Sequence, residues 1–457
     1  MKALFWIISL TSFSYTTSIG DISGNTEWRL MNTLIERYKN RQSLRAVSSP
    51  SEAVNVTLSM KMVQIIELKE KIQMFSTSVW IEQVWHDPLL TWNTSEYSVS
   101  EISIPPVKIW VPDIVLANNV NQDYMGRPIG LNEPVVVSSN GKVRWLTPTI
   151  LDGFCKQFVR YFPFDDQYCP LKFYSWNYDV KKLMLIGNDE NMLSNYTESG
   201  TWTIMNIIKK EHTTSKGGID KATVTFVVHI QRKVFYYFVY LIAPCVLTAI
   251  LAVLIFYLPA ASGERMVVGC TILLALSVFF LLATNYIPET SEHVPLVGRY
   301  YSLVIVEICV ALVCTAWVLR YHYRNPAMGK IPRWIRVYIF GYISKLVRIK
   351  VPEEMLAKHS TADEDTEEGR KETVEKKYDP AEDNLRGLAL MAAQITEEEE
   401  LGKIQEEWQL AAEILNQFFM IIYMLAAFLT FAVIFINAPG IIYPHPEPSM
   451  EEIVRVY

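Results

Sequence analysis

Hydrophobic and polar positions split the 457-residue chain near Tyr236. Before that point the apolar residues come in short runs. Trp28, Leu30, Met31, Leu34, Ile35 and Tyr38 recur at helical spacing and predict a first helix. Residues 54–66, 72–85, 133–137, 142–146, 200–208 and 222–228 are alternating or β-branched and bounded by turn signals, so each predicts a strand. Asn140-Gly141 adds a hairpin signal. Many short strands with no helices between them predict an antiparallel β-sandwich of about 200 residues.

Beyond Tyr236 the pattern becomes four continuous apolar blocks, 236–257, 266–286, 301–319 and 418–436. A helix rising about 1.5 Å per residue crosses roughly 30 Å of hydrocarbon in about 20 residues, so the blocks predict a four-helix transmembrane bundle. Over residues 332–350, Trp334, Ile335, Tyr338, Ile339, Ile343 and Leu346 alternate with basic residues, the pattern of an amphipathic helix in a membrane interface. Residues 352–383 carry almost no apolar side chains and are expected to be disordered. Residues 384–417 look helical and run into block four, with no proline or glycine from Lys403 to Phe418.

Composition follows the same division: the chain is 50% hydrophobic and only 20% charged, which excludes a wholly soluble protein. With 42 basic and 48 acidic side chains the balance is wrong for a nucleic-acid binder. Locally, charge orients the chain. Arg320, Arg324, Lys330, Arg333, Arg336, Lys345, Arg348 and Lys350 crowd the segment after block three, whereas the connection between blocks two and three sets Glu289 and Glu292 against Arg299. The positive-inside rule makes the segment after block three cytoplasmic and places both termini outside. Residues 352–413 hold 19 acidic against 7 basic side chains.

Lys2, the apolar run 3–10 and the small residues at 18–20 match a secretory signal peptide, expected to be removed; a signal anchor is the alternative. The expected organisation is a signal over 1–20, the extracellular sandwich over 21–233, helices one to three over 234–319, a cytoplasmic domain over 320–417, helix four over 418–437 and an extracellular tail over 438–457. Cys245, Cys270, Cys309 and Cys314 fall inside apolar blocks, leaving Cys155 and Cys169 in the exported half. A disulfide there would close a loop worth about 3 kcal/mol in the chain-entropy model. The acceptor sequons at Asn55, Asn93 and Asn195 lie in the same half.

Several motifs occur together. The loop from Cys155 to Cys169 encloses Phe162-Pro163-Phe164-Asp165, Trp80 to Asp87 reads WIEQVWHD, Trp110-Val-Pro112-Asp113 follows, and Ser175-Trp176-Asn177-Tyr178 comes after the loop. Gly263-Glu264-Arg265 precedes block two. In order and spacing this resembles the Cys-loop pentameric ligand-gated ion channels, most closely their nicotinic acetylcholine receptor branch. The resemblance implies five subunits around an axis, here expected to be identical, each giving its second apolar helix to a pore. It also implies a multi-pass protein of the plasma membrane whose partners are lipids, permeating cations and a small-molecule agonist, with no nucleic acid.

On a helix from Arg265, Val267, Thr271, Leu274, Val278, Leu281 and Asn285 recur every three to four residues and share one face, which starts beside Glu264. A packing stripe is the plain reading; its polar ends and apolar middle favour a pore. Rings of Leu274 and Val278 would close it by dewetting, and a ring of Glu264 would attract cations. Anion channels of the family carry a proline-alanine pair before the basic residue, and this chain has Gly263-Glu264 there. As a charge at a helix start Glu264 also complements the macrodipole. Val267 departs from the nicotinic pattern of a small hydroxyl, which implies low conductance or an inner constriction.

For coupling, the resemblance implies that Arg232 pairs with an acid of the first hairpin, here Glu70, while Phe162 and Phe164 press on the connection around Pro295. An ordinary surface ion pair is the alternative. For the agonist, Trp80 and Trp176 match two walls of the family's aromatic cage, with Tyr178 beside the second; sandwich core is the alternative for both tryptophans. Ala117 replaces a tyrosine, residues 209–221 carry no aromatic side chain, and Arg144, Leu146 and Lys210 line the surroundings. Acetylcholine is therefore not the expected agonist, and an amphipathic or anionic ligand fits better. The function expected is a ligand-gated, cation-selective channel subunit, or else an accessory subunit that needs a partner. No metal cluster, phosphate loop or nucleophile pattern appears, so neither an enzyme nor a cofactor is expected.

Overall fold

The structure is a computed structural model that describes residues 25–121, 133–286, 293–326, 331–352 and 380–436. The signal segment, Glu289 and Glu292, nearly all of the acidic linker and the carboxyl-terminal tail lie outside the described residues. The chain forms two compact units, residues 158–166 and 232–449 making one and most of the amino-terminal half the other.

The amino-terminal unit begins with α1 (Thr26–Arg37), capped by Asn25, whose Oδ1 accepts from the Glu27 N–H at 2.9 Å. Leu30 and Leu34 are buried, three to four residues apart as a helix seated on a core requires. Among the described residues ten strands follow: β1 (Val54–Lys69), β2 (Met74–Thr91), then after a short α2 (Thr94–Tyr97) β3 (Glu101–Ile104), β4 (Ile114–Leu116), β5 (Val135–Ser138), β6 (Asn140–Phe154), β7 (Asp166–Ser175), β8 (Leu183–Asn188), β9 (Trp202–Lys216) and β10 (Ile219–Arg232). They form a six-stranded sheet, β3-β5-β6-β2-β1-β8, and a four-stranded sheet, β4-β7-β10-β9.

Alternation sets the core. Val54, Val56, Leu58, Met60 and Met62 of β1 point inward, and Phe173 of β7 meets Phe226 of β10 edge to face at 6.1 Å. The predicted hairpin turns at Gly141, where φ is +81° and an added Cβ would lie 2.6 Å from the Asp87 carbonyl oxygen. Only glycine fits that turn. The sequence reading left out β3, β4, β7 and β8. β1 and β8 pair in parallel, a contact no local pattern announces. Cys155 and Cys169 form a disulfide, ahead of β7 and within it.

Among the described residues, the other unit holds four helices long and apolar enough to cross a membrane: Phe235–Tyr257, Arg265–Thr284, Leu296–His322 and Leu390–Ile436. The first widens to a π-helical turn at Phe238–Ile242, next to Pro244, whose missing N–H removes a rung of the ladder. Gly269 lets the second helix approach the third: a Cβ there would stand 2.2 Å from Leu312 Cδ2. Polar clasps join the first helix to its neighbours. The Tyr301 hydroxyl donates to the Leu241 carbonyl at 2.7 Å, and that of Tyr423 to the Ala249 carbonyl at 2.9 Å. The fourth helix is continuous from Pro380 to Ile436, as the uninterrupted pattern before block four predicts.

The predicted amphipathic helix covers residues 333–347, largely as π-helix. It has two faces. Ile335, Ile339 and Phe340 are buried against Trp408, Ala411 and Ile414 of the fourth helix, while Trp334, Tyr338, Tyr342 and Leu346 form an exposed stripe.

Candidate functional site

On the four-stranded sheet, inward Phe173 and Ser175 of β7 alternate with outward Tyr174 and Trp176. The turn after β7 is held by Asp113. Its Oδ1 accepts from Ser175 Oγ at 2.5 Å, its Oδ2 from the Asn177 N–H at 2.7 Å, and its backbone carbonyl from the Trp176 N–H at 3.1 Å. These bonds fix Trp176 while the residue is 56% exposed, so the sandwich-core alternative for it does not hold. Tyr178 turns the other way and packs against Trp110 at 6.3 Å.

The surface beside Trp176 already holds a cation. Lys221, near the start of β10, places Nζ 4.8 Å from the Tyr174 ring centroid and 5.8 Å from that of Trp176. The same ammonium donates to the Ser175 carbonyl at 3.0 Å and to the Trp176 carbonyl. Sequence reasoning missed this lysine; four lysines lie within residues 209–221, and only the pairing of β7 with β10 selects one. Ala117 follows β4 and donates its N–H to the Lys172 carbonyl at 2.7 Å. Lys210 is half-buried on β9. Lys209 points to Gly187, whose carbonyl accepts from Nζ at 3.1 Å, with Glu211 3.5 Å away. His212, on the same strand, is pushed below the ordinary histidine range by desolvation first and then by Lys172 and Lys210.

Trp80, Arg144 and Leu146 share the outer face of the other sheet, on adjacent strands β2 and β6. Trp80 is 37% exposed there and is not sandwich core either. The structure changes the electrostatic picture of this face: Glu82 lies 3.7 Å from Arg144 and 3.5 Å from Lys61. The positive charge of Arg144 is thereby partly offset. One chain therefore carries the tryptophans on two different sheets.

In the second unit Arg232 is held by Asp165, with Nε donating to Oδ1 at 2.8 Å and Nη2 to Oδ2 at 3.1 Å, and both side chains are about 1% exposed. Its guanidinium also lies 4.8 Å from the Phe162 centroid and 5.2 Å from that of Tyr237. The sequence reading had not made Asp165 a partner of this arginine. Phe162 is fully buried, Phe164 meets Phe435 at 6.4 Å, and Pro295 is buried at the head of the third helix, where the Leu296 N–H donates to the Arg160 carbonyl at 3.1 Å. Glu70 is half-buried in the turn between β1 and β2.

The second helix presents Glu264, Val267, Thr271, Leu274, Val278, Leu281 and Asn285 as exposed side chains. Arg265, Gly269, Leu276 and Ala283 are the buried ones. The sequon asparagines Asn55, Asn93 and Asn195 are all exposed, and Asn93 caps α2, accepting from the Ser95 N–H at 3.0 Å.

Two family models match the chain: the neurotransmitter-gated ion-channel ligand binding domain over residues 27–234 and the neurotransmitter-gated ion-channel transmembrane region over residues 241–373. The neuronal acetylcholine receptor subunit beta-4 of Homo sapiens is 37% identical over 314 residues, which are 68% of this chain and 62% of that protein. The subunit alpha-2 of Gallus gallus is 36% identical over 342 residues, covering 74% and 64% of the two chains, and its beta-4 counterpart is 35% identical over 333 residues, covering 72% and 70%. The chain belongs to the neurotransmitter-gated ion-channel family, in its nicotinic-like Cys-loop branch. It is thus a membrane protein of a family of channels, not enzymes. The match spans less than two thirds of the length of the human relative.

Proposed function

We propose that this chain is a subunit of a ligand-gated, cation-selective channel of the plasma membrane, assembled from five copies, with both termini outside. The observation that carries the reading is the stripe from Glu264 to Asn285, exposed in the single subunit while the opposite face is buried. Apolar side chains alone would suit lipid; a stripe that also carries Glu264, Thr271 and Asn285 suits a water-lined face shared with other copies. Repeated around an axis, Leu274 and Val278 form a hydrophobic gate and Glu264 a carboxylate collar.

An extracellular ligand enters between neighbours, with Trp176, Ala117 and Lys210 from one sheet and Trp80, Arg144 and Leu146 from the next subunit's other sheet. Tyr178, whose N–H donates to Ser175 Oγ at 3.0 Å, belongs to the same site beside Trp176. The ligand is a small molecule other than acetylcholine. Arg232, Phe162, Phe164, Glu70 and Pro295 pass the movement to the pore, and Asn55, Asn93 and Asn195 accept glycans. A second reading, an accessory subunit that conducts only beside a partner, draws on Val267, whose exposed isopropyl group gives passing ions no ligand. Recording from oocytes expressing this chain alone, native and with Val267→Thr, under a broad ligand screen separates the two. Cation current from either supports the channel; surface expression of both without current supports the accessory subunit.

A further inference from the structure

We infer, resting on the reading of this surface as the ligand site, that Lys221 is an internal occupant of its aromatic pocket and the residue that turns away ammonium ligands. An alkylammonium is recognised by ring faces that offer their negative quadrupole and by nearby carbonyl oxygens. Tyr174 and Trp176 provide the faces, at 4.8 and 5.8 Å from Nζ, and the Ser175 and Trp176 carbonyls provide the acceptors. All four groups are engaged by one tethered ammonium. The side chain is half-buried, and the turn that displays Trp176 is locked by Asp113 through two side-chain bonds and one backbone bond.

Lys221 reaches two rings and two carbonyls of one turn, which is how a bound cation would be held. A free ammonium entering this pocket meets a like charge at contact distance and finds the carbonyls taken. A tethered cation also carries none of the translational cost of binding, so occupancy does not depend on concentration. Ammonium affinity is therefore suppressed by the chain's own chemistry, beyond the loss of aromatic walls such as that at Ala117.

The test is equilibrium binding of tetramethylammonium to the full-length protein in detergent, read by tryptophan fluorescence, for the native chain, Lys221→Met, Lys221→Arg and Lys221→Met with Trp176→Phe. Lys221→Met keeps the stem and removes the charge, and is expected to bind at least about tenfold more tightly than the native chain. Lys221→Arg retains a cation and is expected to stay weak. Loss of the fluorescence response on adding Trp176→Phe locates the gain at that ring. Equal affinity of the native chain and Lys221→Met, with the variant eluting as the native oligomer, overturns the inference. Should Lys221→Met fail to assemble, Lys221→Gln takes its place under the same criterion. No current is recorded, so a chain that never conducts refutes the channel reading without touching this one.

Discussion

Arg232 and Asp165 meet as a two-pronged pair, Nε to Oδ1 at 2.8 Å and Nη2 to Oδ2 at 3.1 Å, with almost no solvent access to either. Asp165 ends the loop segment that carries Phe162, and Arg232 ends the last strand, directly before the first apolar helix. The planar fork is satisfied in a way a lysine ammonium would not reproduce. Breaking such a pair strands a buried charge, so Asp165→Ala is expected to cost about 3–5 kcal/mol. Thermal unfolding of the full-length protein, with surface labelling in cells, checks it; an unchanged melting profile would show the pair to be idle. Arg232→Lys is expected to restore only part of the loss.

The second-helix stripe was legible from sequence because helical periodicity is local: Leu274, Val278 and Leu281 declare their shared face without knowledge of any neighbour. The strands with clean alternation, β1 and β2, were legible for the same reason. β7 was not, since its sequence DQYCPLKFYS mixes a proline, a cysteine and polar residues, and it is held by β4 and β10 on either side. Strands as short as Ile114–Leu116 exist only through such pairing. The partners Asp165 for Arg232 and Tyr174 for Lys221 are 67 and 47 residues away in the chain, distances over which charge and hydropathy patterns carry no pairing information. Glu82 could be read as a residue of the WIEQVWHD motif but not as the counter-charge of Arg144, because that depends on the register of β2 against β6.

A second buried acid makes stability depend on pH. The Tyr38 hydroxyl donates to Asp87 Oδ2 and the Leu89 N–H to Oδ1 at 2.9 Å, and both residues are fully buried. Desolvation raises the Asp87 carboxyl above its usual range, and the two donors pull it part of the way back. With the folded value above the unfolded one, folding takes up a proton between them, so stability contributed by this group is present at low pH and lost as pH rises through the folded value. Tyr38→Phe removes a donor to the charged form and is expected to cost about 1.5–3 kcal/mol at neutral pH. The deficit should shrink as the solution is acidified toward pH 5 or below. Melting curves of native and variant protein across that range test the sign; a deficit that grows on acidification would contradict it.

Glu264 is the acidic residue next to the second helix and is exposed. In the proposed pentamer, five such carboxylates at one mouth would raise the local cation concentration and repel anions, an effect that would weaken with ionic strength. Glu264→Gln is expected to reduce cation preference, and Glu264→Gln with an alanine inserted before it to reduce it further. Reversal potentials in asymmetric salt are the measurement. Values indistinguishable from native would place the selectivity elsewhere on the permeation path.

The gate prediction follows from how much apolar surface the second helix leaves uncovered. Leu274 is 66% exposed in the single subunit, and Val278 and Leu281 continue the stripe. If the closed state brings five Leu274 side chains together and the open state wets them, each contributes up to about 1.5–3 kcal/mol of burial to closure. Loss of even one copy's share moves the closed-open equilibrium by about tenfold or more. Leu274→Thr is therefore expected to lower the agonist concentration for half-maximal current by at least about tenfold, and to produce current without agonist. Val267→Thr, nearer the start of the same helix, should instead raise single-channel conductance with little change in agonist sensitivity, since a hydroxyl can coordinate a passing ion where an isopropyl group cannot. Opposite assignments, conductance moving with Leu274 and sensitivity with Val267, would exchange the positions of gate and filter along the stripe.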